Sequence, residues 1–320
     1  MGTKPHISSQ EALTPRYGRY RQMLCRAQPD LETRLRQGRL VRTTLTGLVA
    51  GFDLILLDAF GVLNLGDGVI AGAPEAVAWM RQQGKAVRVV SNNASQSPAN
   101  MIRKFKSWGF ELEVGQILSS GMAVGPYVAD SRYREVPYLL IGSEDSASAY
   151  APDPERWMVN HPGSGRRLEE AEYILFCSNR DYHGGQQELD AVALLTQKKV
   201  PLLLANPDLA TPKPDGRLEA VAGYAAMDLA ERFELELEGI GKPFGPIFQE
   251  VVQRFPGVPR ERILMIGDTL DTDILGAAAM GFASCLTLSG ACAGWGERLE
   301  SLCAARGICP DYVIDSLKNQ

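Results

Sequence analysis

Histidine and paired cysteine are the scarcest chemical resources of this chain. Only three histidines occur in 320 residues (His6, His161 and His183), and no two share a metal-ligand spacing. The six cysteines, Cys25, Cys177, Cys285, Cys292, Cys303 and Cys309, include no C-x-x-C pair. That pattern fits reduced thiols, some serving as small core residues, better than a zinc site or disulfide framework, so a cytoplasmic location is expected. No basic run is present, and the net charge is −5 with a pI near 5.4. Such a balance opposes a nucleic-acid or anionic-membrane partner. Apolar stretches fall far short of a membrane span. The opening MGTKPHISSQEALTPRYGRY lacks the apolar region of a secretory signal, and His6 stands where a myristoylation signal needs Ser or Thr. G-x-S-x-G and H-E-x-x-H are missing. GIGK is no P-loop, because Glu236 occupies the first glycine position and Pro243 follows the lysine. An EF-hand loop from Asp271 would end on Phe282 instead of an acid.

What is present is 45% hydrophobic residues over a length suited to two domains. Residues 1–15 read as disordered, and Pro15 to Leu40 have a helical rhythm, giving an N-terminal helical arm over 1–45. Strand, loop and helix then alternate. Phe52–Asp58 and Ala86–Ser91 are apolar runs ending on a polar residue, and Ala71–Gly84 between them reads as a helix. Ser97, Pro98 and Gly109 bracket another helix as N-cap, first residue and stop. The grammar returns in Pro246–Phe255 (helix), Arg262–Asp268 (strand), Thr272–Gly281 (helix), ASCLTLSG and DYVIDSL (strands). Between these halves, Tyr138–Ser143, Glu172–Asn179 and Val200–Asp208 read as strands, with a helix near Gln187–Gln197. The expected fold is α/β: a doubly wound parallel-sheet core built from 46–125 and 236–320, with an α/β domain inserted over 126–235.

Polar residues that follow apolar strands in a parallel sheet gather at its carboxyl edge, where ligands bind. Asp58, Ser91 and Asp268 hold such positions, and Lys242 precedes a helix. A carboxylate, a hydroxyl, an ammonium and an acidic loop on one rim suit phosphoryl transfer, which demands positioning and charge neutralisation. In GDTLDTD (Gly267–Asp273) three carboxylates crowd together and repel unless a positive group sits among them. Each residue also has a plainer use: an Asp after a strand caps turns, Ser91 satisfies loop backbone, Lys242 is solvated, and the acidic loop faces water.

With these sites in order, LLDAFGVL, VVSNNAS, GKP and GDTLDTDI resemble the four motifs of the haloacid dehalogenase superfamily. VIAGAPEAV, ILSSGMA and ANPD resemble its class with a large α/β cap (C2 type) after the second motif. The resemblance covers about residues 50–320 and implies a Rossmann-like core and a phosphatase acting on a phosphorylated small molecule. It implies that Asp58 forms an aspartyl-phosphate. Mg²⁺ would then be held by Asp58, the backbone carbonyl of Phe60, Asp268 and Asp273. By the same resemblance Ser91, with Asn92 and Asn93 beside it, grips the phosphoryl group, and Lys242 offsets its charge. Asn206 and Asp208 of the cap become substrate-binding candidates, although N-P-D is also an ordinary turn signal. The N-terminal arm is left free for a partner or a homodimer interface.

One position departs from the pattern. Phosphatases of the family carry an aspartate two residues after the nucleophile, as general acid–base, and here that residue is Phe60. Three outcomes are open: a substrate with a good leaving group, a proton delivered by a cap residue such as Asp208 or Asp181, or a slow enzyme acting mainly as a metabolite-binding protein. A metal-independent, dehalogenase-like hydrolase is the further alternative, against which Asp268 and Asp273 argue.

Overall fold

The computed structural model describes residues 6–7, 9, 11–159, 161–180, 186–213 and 217–318. Its larger sheet has seven strands, in the order Val41–Arg42, Tyr312–Ile314, Ala283–Thr287, Ile263–Gly267, Leu54–Leu57, Ala86–Ser91 and Ile117–Ser119. Every neighbouring pair is parallel. The four residues Leu54–Leu57 are all buried, as a strand covered on both faces requires. Successive side chains of that strand point to opposite faces. Ile55 and Leu57 join Val87, Val89 and Ile266 in one core cluster, while Leu54 and Leu56 join Val90, Leu118 and Met265 in another.

The chain leaves Leu54–Leu57 toward Ala86–Ser91 on one side and returns through Ile263–Gly267 on the other. The strand order therefore reverses beside Leu54–Leu57, and a crevice opens there at the carboxyl edge. A smaller all-parallel sheet, in the order Leu237–Gly239, Leu202–Leu204, Tyr173–Phe176 and Tyr138–Ile141, forms the second α/β unit. Its Tyr138, Tyr173 and Leu203 share a cluster with Leu54 and Leu56 of the large sheet. Ile174, Phe176 and Leu204 point the other way, into a cluster with Tyr17 and Tyr20.

Several local expectations shift. The N-terminal arm holds two helices, Thr14–Ala27 and Leu31–Arg36, and then contributes Val41–Arg42 to the edge of the large sheet. Disorder over 1–15 does not hold where the structure describes that stretch. His6–Ile7 pairs antiparallel with Leu218–Ala220, and Glu11–Leu13 is a 3₁₀ turn leading into the first helix. The helix expected from Thr272 is preceded by a π-turn, Leu270–Ile274, and becomes α-helical only at Leu275–Met280. Single π-turns of this kind are frequent at functional sites. Ser97 does cap its helix, accepting the Asn100 N–H.

Candidate active site

Asp58 is the first residue past the central strand, and its N–H continues the ladder by donating to the Ile266 carbonyl at 2.9 Å. Its Oδ1 accepts the Ala59 N–H at 2.7 Å and lies 2.6 Å from the Lys242 ammonium. That ammonium is 1% exposed and also lies 2.7 Å from Asp273 Oδ1. Buried this deeply, it is no solvated surface lysine. Burial works against its charge, but the Asp273 and Asp58 carboxylates outweigh that and hold its pKa above the ordinary lysine value.

The lysine is aimed by Asn92. The Asn92 Oδ1 accepts the Lys242 N–H at 2.7 Å, and its Nδ2 donates to the Lys242 carbonyl at 2.9 Å and to Asp208 Oδ1 at 2.7 Å. One buried amide thus ties the strand-end loop, the lysine loop and the cap loop together. Asn93 shapes its own loop: its Oδ1 accepts the N–H groups of Ser95 and Gln96, and its Nδ2 donates to Gln96. Ser91 accepts the Asn93 N–H at 3.3 Å. In the cap loop, Asn206 Oδ1 accepts the Asp208 N–H at 3.0 Å, an Asx turn that presents Asp208.

Asp268 and Asp273 complete the cluster. Asp268 Oδ1 accepts from the Thr269 hydroxyl at 3.1 Å and Oδ2 from the Ala291 N–H at 2.6 Å. The π-turn brings Asp273 back beneath the strand end, where its Oδ2 accepts the Thr269 N–H at 3.1 Å. Glycine is required around these carboxylates. A Cβ at Gly61, which has φ +84°, or at Gly290 would overlap the Asp268 carboxylate, and one at Gly267 would overlap that of Asp273.

Ligand oxygens of Asp58, Asp268 and Asp273 all lie within 4.8 Å of one another. One ammonium cannot balance three carboxylates. Burial, opposed by Lys242 and reinforced by Asp273 and Asp268, drives the Asp58 carboxyl well above its ordinary range. Burial and then Asp273 push Asp268 up to about 7. A divalent cation with oxygen ligands relieves this repulsion, so the donor set and its glycine cradle fit one.

Beside the cluster lies a cavity of about 260 Å³, with Phe60, Ser91, Asn92, Asn206 and Asp208 among its lining residues. Asn64, Gln96, Met101, Lys104 and Trp108 line it as well. The structure therefore brings Lys242 into contact with Asp58 and Asp273, groups Asp268 with them, and sets Phe60, Ser91 and the cap residues on the adjoining cavity. Asp181 and His183 lie outside the described residues. Sequence reasoning missed the loop after Ala283–Thr287, whose Ala291 orients Asp268 and whose Ser289 hydroxyl donates to the Gly61 carbonyl at 2.7 Å. Its only signal was a glycine following an apolar strand. It also missed the buried pair of Asp271 and Arg306 behind the acidic loop.

Comparison with known proteins identifies the family. A haloacid dehalogenase-like hydrolase model matches residues 55–151, and a related HAD-hydrolase-like model matches 239–319. Glycerol-3-phosphate phosphatase of Gallus gallus is 30% identical over 299 residues, covering 87% of this chain and 94% of that protein. A possible sugar phosphatase of Cytophaga hutchinsonii superposes with a TM-score of 0.77 at 23% identity, covering 88% of this chain and 100% of that one. Glycerol phosphate phosphatase of Mycobacterium tuberculosis, in complex with calcium, superposes with a TM-score of 0.67 at 22% identity, covering 86% and 76%. At those identities the two structural likenesses are of fold. With its four motifs on one sheet edge, its second α/β unit between motifs two and three, and relatives matched over nearly their whole length, the chain belongs to the haloacid dehalogenase-like hydrolases, in their NagD-like phosphatase subclass.

Proposed function

We propose that this phosphatase is Mg²⁺-dependent and hydrolyses a small phosphorylated metabolite, of the sugar-phosphate or glycerol-phosphate kind, through an aspartyl-phosphate on Asp58. The observation that carries this reading is the buried contact of Lys242 with Asp58 and Asp273 inside the three-carboxylate cluster. Phosphatase names among the relatives support it. Asp58, Asp268, Asp273 and the Phe60 carbonyl would hold the metal, which when bound would supply positive charge against the transferring phosphoryl group. An Asp58 oxygen attacks phosphorus while the ester P–O bond breaks and the leaving alkoxide takes a proton. Water then attacks the same phosphorus and gives its proton to the carboxylate that protonated the leaving group, the Asp58–phosphorus bond breaks, and inorganic phosphate leaves. Lys242 holds Asp58 at one angle and offsets charge in both steps. Ser91 offers a hydroxyl to the phosphoryl oxygens.

Phe60 provides no proton. Asp208 is the group best suited to replace the missing acid. It lines the cavity, is anchored by Asn92, and burial pushes its carboxyl up to about 6, against Lys242 and Asn92. The division into arm, core and cap at 45, 125 and 235 belongs to this proposal; the two separate parallel sheets support a core and a cap, with Val41–Arg42 joining the core sheet and Leu237–Gly239 the cap sheet. So does the cytoplasmic location, supported by six free cysteines. Among the described residues no helix is long and apolar enough to cross a membrane.

The test is phosphate release from p-nitrophenyl phosphate, glycerol 3-phosphate and sugar phosphates, with Mg²⁺ and with chelator. Asp58→Asn should lower kcat by roughly 10⁴-fold or more and leave the fold intact. Undiminished turnover in that variant would remove Asp58 as the nucleophile.

A further inference from the structure

We infer that the N-terminal segment, instead of being free for a partner, is a positioning element of the active site, in which Tyr17 and Tyr20 seat the cap loop that carries Asn206 and Asp208. Both rings are buried, at 2% and 0% exposure. The Tyr20 hydroxyl donates to the Pro207 carbonyl at 3.0 Å, and the Tyr17 hydroxyl accepts the Leu209 N–H at 3.4 Å. These two bonds flank Asp208 on either side. The Tyr20 ring also meets Phe244 edge to face at 5.2 Å, two residues after Lys242. One helix therefore touches the cap loop and the lysine loop together, the same two loops that Asn92 joins.

The segment is anchored on both units. His6–Ile7 adds a third strand to the antiparallel hairpin of Ala210–Pro212 and Leu218–Ala220, which continues directly from the cap loop. Arg16 lies over the Tyr224 ring at 4.0 Å, donates to the Tyr224 carbonyl, and pairs with Asp228 and Glu231 of the helix Ala222–Arg232. On the core side, Arg34 donates to the Ala278 carbonyl at 2.8 Å and Arg21 to that of Arg306. Surface ion pairs alone would hold such a strap weakly, but two fully buried aromatic rings do not. The Pro207 carbonyl is a buried acceptor that needs a donor, and the Tyr20 hydroxyl supplies one. Because the held residues line the cavity, the tyrosines act through Asn206 and Asp208 on substrate binding and on proton delivery.

The inference rests on the proposed phosphatase activity, and its test separates the two. Tyr20→Phe and Tyr17→Phe keep the rings and remove only the hydroxyls. For each full-length variant, KM and kcat are measured on glycerol 3-phosphate with Mg²⁺. Amide hydrogen exchange is followed in peptides covering 205–210 and, as an internal control, 263–267. Tyr20→Phe should lower kcat/KM on glycerol 3-phosphate roughly tenfold, through a raised KM and, because Asp208 is also the proposed proton donor, a lowered kcat, and speed exchange in 205–210 roughly tenfold while 263–267 stays protected. Restoring the hydroxyl should restore both values. Unchanged kcat/KM and unchanged loop exchange in both variants and in their combination would overturn the inference. So would faster exchange in both peptides alike, which marks a general loss of stability. If the wild-type chain turns over nothing, the phosphatase reading fails, and the exchange at 205–210 still decides whether the tyrosines hold the loop.

Discussion

Lys242→Met is the most informative single perturbation, because the lysine is buried between two carboxylates and the substitution removes charge while nearly keeping volume. At 2.6 and 2.7 Å, each contact represents roughly 6 kcal/mol of Coulomb attraction at an effective dielectric near 20. Desolvation of each ion opposes this by several kcal/mol, and removing one member of a buried pair has a net cost of about 3–5 kcal/mol. With an unfolding entropy of roughly 2.1 cal/mol/K per residue over 320 residues, a loss of about 4 kcal/mol lowers Tm by about 6 °C. The sign of the pH dependence follows from Asp58. Its carboxyl is already raised by burial, and Lys242 is the group holding it down, so removing the lysine raises it further. A carboxyl whose folded pKa exceeds its unfolded one favours the folded state at low pH and loses that contribution as pH rises through the folded value. The penalty should therefore be smaller at an acidic pH than at an alkaline one. Thermal melts of wild type and variant in chelator, at both pH values, read it directly. An equal penalty at the two would refute the electrostatic account and leave only lost packing. The same variant should lose roughly 10²- to 10³-fold in kcat with metal present.

Phe60→Asp should raise kcat on alkyl phosphates by about 10²-fold or more, and less on p-nitrophenyl phosphate, whose leaving group needs little protonation; equal gains on both would remove the proton-transfer reading. Mg²⁺ should raise Tm, by the equivalent of about 2.7 kcal/mol at a hundred times its Kd, and chelator should abolish the effect. That gain should shrink as pH falls below about 7, because Asp268 then holds a proton the metal must displace, and melts from pH 5.5 to 8 would show it. Arg306→Met should destabilise the fold by about 3 kcal/mol, since burial already raises Asp271 to about 6 and its partner would be gone. Adding Asp271→Leu should recover most of that loss in the same denaturation assay.

Much of this protein is legible along the chain because its signals are local. Strand-long apolar runs that end in Asp58, Ser91 and Asp268 already place those residues at one edge of a parallel sheet, since sheet geometry leaves few alternatives. Ser97 and Pro98 mark a helix start through chemistry contained within a single turn. What could not be read depends on residues far apart in sequence. Nothing near Lys242 announces that its ammonium is buried between Asp58 and Asp273, or that Asn92, 150 residues away, aims it. The π-turn at Leu270–Ile274 is set by how Asp273 must fit beneath Gly267, a tertiary demand on a stretch with helical propensity. The N-terminal tyrosines carry no motif, and their apolar rhythm is that of any amphipathic helix. Sequence alone determined the fold class and the residues able to perform the chemistry, because period and strand-end position are properties of short segments. Only the folded chain decided which loop each tyrosine, amide and lysine serves, because burial and electrostatic pairing exist only once distant segments have excluded water between them.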